Sequence, residues 1–135
     1  MTDKELEKIE DFYRKKAHEI AHKYWGIEFT CPIVFINRKW KRLNASFRVW
    51  EGTDKCEIRL NYLRAKEYGE EEYLKILKHE MVHWYLWRLD KPYGDLDEGF
   101  IRECIRIGAG ISGTKSAVKA YENIKEDVGE AVRIG

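Results

Sequence analysis

The sequence predicts an α+β fold in which a helix, a small antiparallel sheet and then further helices follow one another along the chain. Apolar residues recur every three or four positions near the start, alternate with polar residues in the middle, and return to helical spacing afterwards. No internal repeat or long linker interrupts this order. A chain of 135 residues is long enough for one core but too short for two, so we expect residues 1–135 to form a single domain.

The first element is predicted to be an amphipathic helix. Gly26 follows its last apolar residue and is a typical helix stop. The apolar stripe consists of Leu6, Ile9, Tyr13, Ala17, Ile20 and Tyr24.

Three strands are predicted next. Residues 33–36 form a short β-branched and aromatic run, whereas residues 43–49 and 56–62 alternate between apolar and polar side chains. The turn-like sequence at residues 52–54 should join the last two strands into a hairpin. We expect the sheet to be antiparallel.

Helical sequence then dominates the chain. A helix is predicted over residues 70–89, where Asp90-Lys91-Pro92 ends it. Shorter helices are predicted over residues 98–107 and 114–128, with three glycines between them.

Composition excludes several classes of protein. The formal charge of +1 gives no global field for recruiting nucleic acid or an anionic membrane. Cys31, Cys56 and Cys104 are widely separated and include no Cys-x-x-Cys pair, which argues against a disulfide framework and a cysteine zinc ribbon. With no signal peptide or membrane-spanning run in the sequence, we expect a cytoplasmic protein without membrane contact.

One short motif carries metal chemistry. Residues 79–83 read His-Glu-Met-Val-His, which places two imidazoles four residues apart on one helical face with a carboxylate beside them. Zinc binds neutral imidazole nitrogens, and Glu80 could accept a proton from an activated water. The same spacing occurs in His18-Glu19-Ile20-Ala21-His22, so the pattern alone is not decisive.

Helical phase distinguishes the motif at residues 18–22 from the motif at residues 79–83. At about 100° per residue, His18 and His22 point away from the apolar stripe of the first helix and should face solvent. Glu80 falls near the middle of the apolar face of its helix, with His79 and His83 toward one edge. We therefore predict that His79 and His83 hold the metal.

A third ligand is needed if one zinc position is to stay open for water, and no histidine follows His83. A carboxylate must supply it. Asp95, Asp97 and Glu98 all come soon after the helix, and their positions alone do not choose between them.

The chain resembles the SprT-like metalloproteases over roughly residues 5–108, in a minimal form without their C-terminal zinc ribbon. The residues that carry the resemblance are His79-Glu80-Met81-Val82-His83-Trp84, Lys91-Pro92-Tyr93, Asp95, Phe100 and Gly108, together with the order of the upstream strands. The resemblance implies a zincin-like fold and a zinc-dependent metalloendopeptidase with Glu80 as catalytic base. Many members have a third histidine ligand in the register that Asp95 occupies here, five residues before Phe100.

An alternative resemblance concerns the third ligand. Leu96-Asp97-Glu98-Gly99-Phe100 is similar to the Glu-Gly-Phe helix of gluzincins, in which that glutamate binds the metal. The upstream strand pattern favours the SprT-like register, and with it Asp95 over Glu98.

Two binding surfaces are also predicted. In zincins, an edge strand pairs with the extended backbone of a protein or peptide substrate, and residues 55–61 are the candidate here. The basic, aromatic run Arg38, Lys39, Trp40, Lys41 and Arg42 could contact nucleic acid weakly. A nucleic-acid-associated domain with a structural metal is therefore the competing functional class.

Overall fold

The computed structural model describes residues 2–37, 44–111 and 115–134, with side chains as far as Ile124. Four helices and three strands lie within these residues, which confirms the α+β class. In chain order they are α1 (Asp3–Trp25), β1 (Ile33–Ile36), β2 (Ala45–Val49), β3 (Cys56–Asn61), α2 (Tyr62–Arg88), α3 (Glu98–Ile107) and α4 (Lys115–Ile134). None of the helices in the described part of the chain is long and apolar enough to cross a lipid bilayer.

Helix α1 begins and ends with standard capping interactions. The Thr2 hydroxyl accepts a hydrogen bond from the Glu5 N–H at 3.2 Å. At the other end, Gly26 adopts a left-handed conformation with a φ of 62°. The buried face contains Tyr13, Ala17, Ile20 and Ala21, so the predicted amphipathic helix is confirmed.

The three strands form one mixed sheet in the order β1-β3-β2. Strands β2 and β3 are antiparallel, with Val49 opposite Cys56, which confirms the predicted hairpin. Strand β1 is parallel to β3, with Ile33 opposite Ile58. The prediction of an antiparallel sheet was therefore wrong for β1, because side-chain alternation identifies a strand and its buried face but not the direction of its neighbour.

The sheet order also corrects the predicted substrate edge. Strand β3 lies between the other two strands, so the backbone of residues 56–61 is already engaged on both sides. The outer strands of the described sheet are β1 and β2. A substrate strand could not pair with β3 as predicted.

Helix α2 starts earlier than predicted. It follows β3 directly at Tyr62, and the Asn61 side chain accepts a hydrogen bond from the Leu63 N–H at 2.9 Å. Gly69 then interrupts the helix with a φ of 81°, a conformation that glycine adopts without a steric penalty. The predicted start at residue 70 therefore marks the second of two helical stretches. The helix ends at Arg88, close to the predicted stop.

Helix α2 lies between two hydrophobic cores. Met81 and Trp84 pack with α1 and the sheet, whereas Val82 and Leu86 pack with α3 and α4. This position explains why residues 81–86 are apolar almost all round the helix. Helix α3 has its predicted bounds, and α4 continues six residues beyond the predicted end at residue 128.

The Tyr73 hydroxyl connects the sheet to α2. It accepts a hydrogen bond from the Asn61 N–H and donates one to the Asn44 carbonyl, both at 2.8 Å. We expect Tyr73→Phe to lower the free energy of unfolding by about 1–3 kcal/mol, because both backbone groups lose this partner. Urea denaturation measures the change. Tyr68→Phe is the matched control, since its hydroxyl bonds Asn44 at the exposed surface, and equal losses in the two variants would contradict the prediction.

Candidate metal centre

His79, Glu80 and His83 lie on one side of α2, in its last three turns. The helix places the two imidazoles one turn apart, and their Nε2 atoms are 3.2 Å apart. One ligand atom from each of the three residues lies within 4.8 Å of the others.

Asp95 joins this cluster from the loop after α2. Its Oδ1 atom lies 3.1 Å from His79 Nε2 and 3.0 Å from His83 Nε2. The three atoms therefore form a small triangle. Tetrahedral zinc with nitrogen and oxygen ligands at about 2.0–2.1 Å requires ligand separations of roughly 3.3 Å. A slight outward movement would turn this triangle into one face of such a tetrahedron, so the residues present fit a zinc ion.

The loop that carries Asp95 is closed by Asp97. The Asp97 Oδ2 atom accepts a hydrogen bond from the Gly94 N–H at 2.7 Å, and the Asp97 N–H donates to the Gly94 carbonyl at 3.0 Å. Asp97, which the sequence left as a possible ligand, thus uses its carboxylate to shape the turn that presents Asp95.

Glu98 makes its contacts away from the two imidazoles. It is the first residue of α3, where a negative charge is favourable at the helix N-terminus. Its carboxylate accepts a hydrogen bond from Arg102 Nε at 2.8 Å, and its side chain is 66% exposed. These contacts favour Asp95 over Glu98 as the carboxylate of the cluster.

Two backbone carbonyls orient the imidazoles. His79 Nδ1 lies 2.7 Å from the Gly110 carbonyl, and His83 Nδ1 contacts the Tyr93 carbonyl. A carbonyl only accepts, so each Nδ1 carries a proton, and Nε2 is the nitrogen that each ring directs toward Asp95 and could offer to a metal after losing its own proton. Gly110 is held in turn, because its N–H donates to the Lys75 carbonyl at 3.0 Å. Sequence analysis missed both carbonyls, since a backbone acceptor has no sequence signature.

Aromatic rings pack around the imidazoles. The fully buried Phe100 ring stacks on His83 at 4.1 Å and meets His79 at 5.0 Å with its ring nearly perpendicular. The Phe47 ring of β2 lies parallel to the His83 ring, with the two ring centroids 6.3 Å apart. Phe47 also contacts Tyr93. In the sequence, Phe100 served only to mark the register of Asp95. The structure shows that it restricts the orientation of both imidazoles.

The charges in the cluster influence one another strongly. Burial raises the pKa of the Glu80 carboxyl, although His79 and His83 act in the opposite direction. Hydrogen bonds from the same two imidazoles hold the pKa of Asp95 well below its usual range. Burial is the largest single influence on His79 and lowers its pKa, but the hydrogen bonds to Asp95, Cys104 and Gly110 and the charge of Glu80 together raise it to about 10. A metal ion must therefore displace a proton to bind here.

Comparison with known proteins identifies the family. The profile of the SprT-like family matches residues 29–120, which is more than half of the chain. The chain belongs to the SprT-like family. This confirms the resemblance seen in the sequence, and the matched region contains His79, His83 and Asp95 but not the His18 motif.

Two SprT-like relatives show the extent of the similarity. The chain is 26% identical to "Protein SprT-like" of Bacillus cereus strain 03BB102 over 106 residues, which are 78% of this chain and 61% of the relative. It is 26% identical to "Protein SprT-like" of Staphylococcus saprophyticus over 110 residues, which are 82% of this chain and 68% of the relative. The chain thus spans about three fifths of the length of the Bacillus relative. No solved structure gives a significant match.

The second histidine motif of this SprT-like chain lies on the exposed face of α1, opposite the buried face that contains Ala17. His18 and His22 are both exposed, and His18 meets only the edge of the Phe29 ring among aromatic neighbours in the described residues. The prediction that they face solvent is confirmed. The basic run from Arg38 to Arg42 lies outside the described residues, so nucleic-acid contact stays a prediction.

Replacing both exposed histidines tests the choice between the motifs. We expect the His18→Ala, His22→Ala variant to keep its full metal content, because both imidazoles are exposed on α1 and neither belongs to the ligand group on α2. The matched His79→Ala, His83→Ala variant should lose the metal. Mass spectrometry of metal content measures both, with circular dichroism to check folding. Loss of metal from a folded His18, His22 variant would reverse the assignment.

Proposed function

We propose that this SprT-like domain is a zinc-dependent metalloendopeptidase of the zincin type. The proposal rests on the triangle formed by His79, His83 and Asp95, with the buried Glu80 beside it. Structural zinc sites usually have four protein ligands, whereas catalytic sites have three and one open position. Asp95 is 46% exposed, so the open side of the triangle is reachable from solvent, as catalysis requires.

Each residue of the cluster has a role in peptide hydrolysis. His79, His83 and Asp95 are the proposed ligands. A bound zinc ion supplies a Lewis acid that polarises the scissile carbonyl and lowers the pKa of water. Glu80 accepts the proton of the attacking water and delivers it to the leaving amine nitrogen. Burial raises the pKa of Glu80, which makes its carboxylate a stronger base toward the water proton.

The substrate is proposed to be an extended protein or peptide segment. Strand β2 is an outer strand of the described sheet, and its Phe47 packs against His83 and Trp87 of α2. A peptide that paired with β2 would therefore run beside the metal centre. Strand β2 thus replaces residues 55–61 as the proposed substrate edge. Such pairing reads the backbone more than the side chains, so cleavage should favour unfolded segments over a fixed sequence.

Substitution of the proposed base tests catalysis. We expect Glu80→Gln to retain its fold and zinc but to lose hydrolysis of an unfolded protein by roughly 10²–10⁴-fold, because an amide cannot accept the proton. Gel-based cleavage assays and zinc analysis measure the two properties. Glu72→Gln is the matched control, since Glu72 lies on the same helix and pairs only with Lys75 among the described ion pairs. Unchanged cleavage by Glu80→Gln would contradict the assignment of Glu80 as the catalytic base.

The third ligand can be tested by a pair of alanine variants. We expect Asp95→Ala to weaken zinc binding by at least roughly 100-fold, because one of three ligands is removed. Glu98→Ala should cost no more than about 1 kcal/mol of stability, since it loses only an exposed ion pair and a favourable helix-dipole contact. Asp95→His should preserve a site, as imidazole is also a normal zinc ligand.

Zinc titration against a competing chelator measures these three variants. If Glu98→Ala loses zinc while Asp95→Ala retains it, the gluzincin-like assignment is correct and the SprT-like register of Asp95 is wrong. This outcome would leave the proposal of a metallopeptidase intact, because both assignments use His79, His83 and Glu80.

A further inference from the structure

Two of the three cysteines meet in the fold although 25 residues separate them. Cys31 lies just before β1 and Cys56 is the first residue of β3. Their Sγ atoms are 3.5 Å apart, and both are free thiols. No role in the metal centre involves either residue.

The parallel pairing of β1 and β3 brings these thiols together. Ile33 lies opposite Ile58, an offset of 25 residues, and Cys31 and Cys56 have the same offset (56 − 31 = 25). The ladder extends toward them, because the Ile58 N–H donates to the Pro32 carbonyl at 2.9 Å. Paired residues of neighbouring strands project from the same face, and the strands lie about 4.8 Å apart. This spacing suits a disulfide, whose Cα atoms are roughly 4.4–6.8 Å apart.

We propose that Cys31 and Cys56 form an oxidisable dithiol site that takes a peroxide as its substrate and closes to a disulfide between β1 and β3. The sulfur atoms need to approach by only about 1.5 Å to reach the bonded distance of about 2.05 Å. Side-chain rotation can supply this movement, so the strand ladder need not break.

The less buried thiol is the one that meets the oxidant. Cys56 is partly exposed and lines a cavity of about 480 Å³ together with Trp50 and Trp87, whereas Cys31 is buried. The Cys56 sulfur attacks one oxygen of hydrogen peroxide and breaks the O–O bond, which yields a sulfenic acid and water. The Cys31 sulfur then attacks the Cys56 sulfur and releases a second water. The two thiols lose two electrons and two protons, and the peroxide is reduced to two water molecules.

Burial makes this site slow to react. It raises the pKa of both thiols, so the reactive thiolate is scarce near neutral pH. The site therefore responds to sustained rather than brief exposure to peroxide. Cys104 lies in the other hydrophobic core, against α2 and α4, and should remain a thiol.

Mass spectrometry of the full chain tests the proposal. The folded protein is incubated with hydrogen peroxide, then denatured and alkylated. We expect the oxidised protein to take up one alkyl group instead of three, and a peptide map to show Cys31 linked to Cys56. The melting temperature should rise by roughly 5–15 °C, because the cross-link restricts the unfolded chain, and dithiothreitol should reverse the rise. Cys56→Ser should take up two alkyl groups after the same treatment, whereas Cys31→Ser should take up one and carry a sulfenic acid at Cys56 without a disulfide.

Several results would overturn the proposal: three alkyl groups after peroxide treatment, a linked peptide that contains Cys104, or a sulfinic acid at Cys56 without a disulfide. If a serine variant fails to fold, the peptide map of the peroxide-treated chain without substitutions is sufficient to test the proposal. The readout is a covalent bond, so it is independent of whether the metal centre binds zinc or cleaves peptides.

Discussion

The placement of two mostly buried imidazoles beside the buried Glu80 carboxylate on α2 is the constraint on which the rest of the structure depends. Polar groups at this depth are unfavourable unless each has a partner. Among the described residues, no buried side-chain nitrogen or oxygen lacks a hydrogen bond. For His79 and His83 the partners come from two separate loops, one at Tyr93 and one at Gly110. The loops before and after α3 therefore supply the hydrogen-bond acceptors for two side chains on α2.

This requirement links the two hydrophobic cores to the site. Helix α2 is fixed between the sheet on one side and α3 with α4 on the other. Phe100 belongs to the second core and packs on both imidazoles, whereas Phe47 reaches His83 from the sheet. The orientation of the proposed ligands is thus determined by both cores together. Zinc sites depend strongly on such surrounding contacts, which often affect metal affinity almost as much as the ligands themselves.

The errors of the sequence-based fold prediction have a common origin. Strands β2 and β3 were predicted from alternation and β1 from a β-branched and aromatic run, but the direction of β1 relative to β3 was wrong. The start of α2 was missed because Tyr62 continues from a strand without a loop, and only Gly69 interrupts the following helix. Strand direction and the joining of elements depend on contacts between distant residues. A pattern read within one segment contains no information about them.

The sequence by itself determined which histidine motif turns toward the protein interior, because helical phase relative to the apolar residues is a local property that α1 and α2 retain in the fold. It also determined the family and the α+β class. Tertiary structure alone decided that Asp95, rather than Glu98, lies against the imidazoles, since both carboxylates are a few residues from α2 and only the loop geometry separates them. It likewise decided the carbonyl partners and the meeting of Cys31 with Cys56. Backbone acceptors have no sequence identity, and distances across the fold depend on how its elements pack.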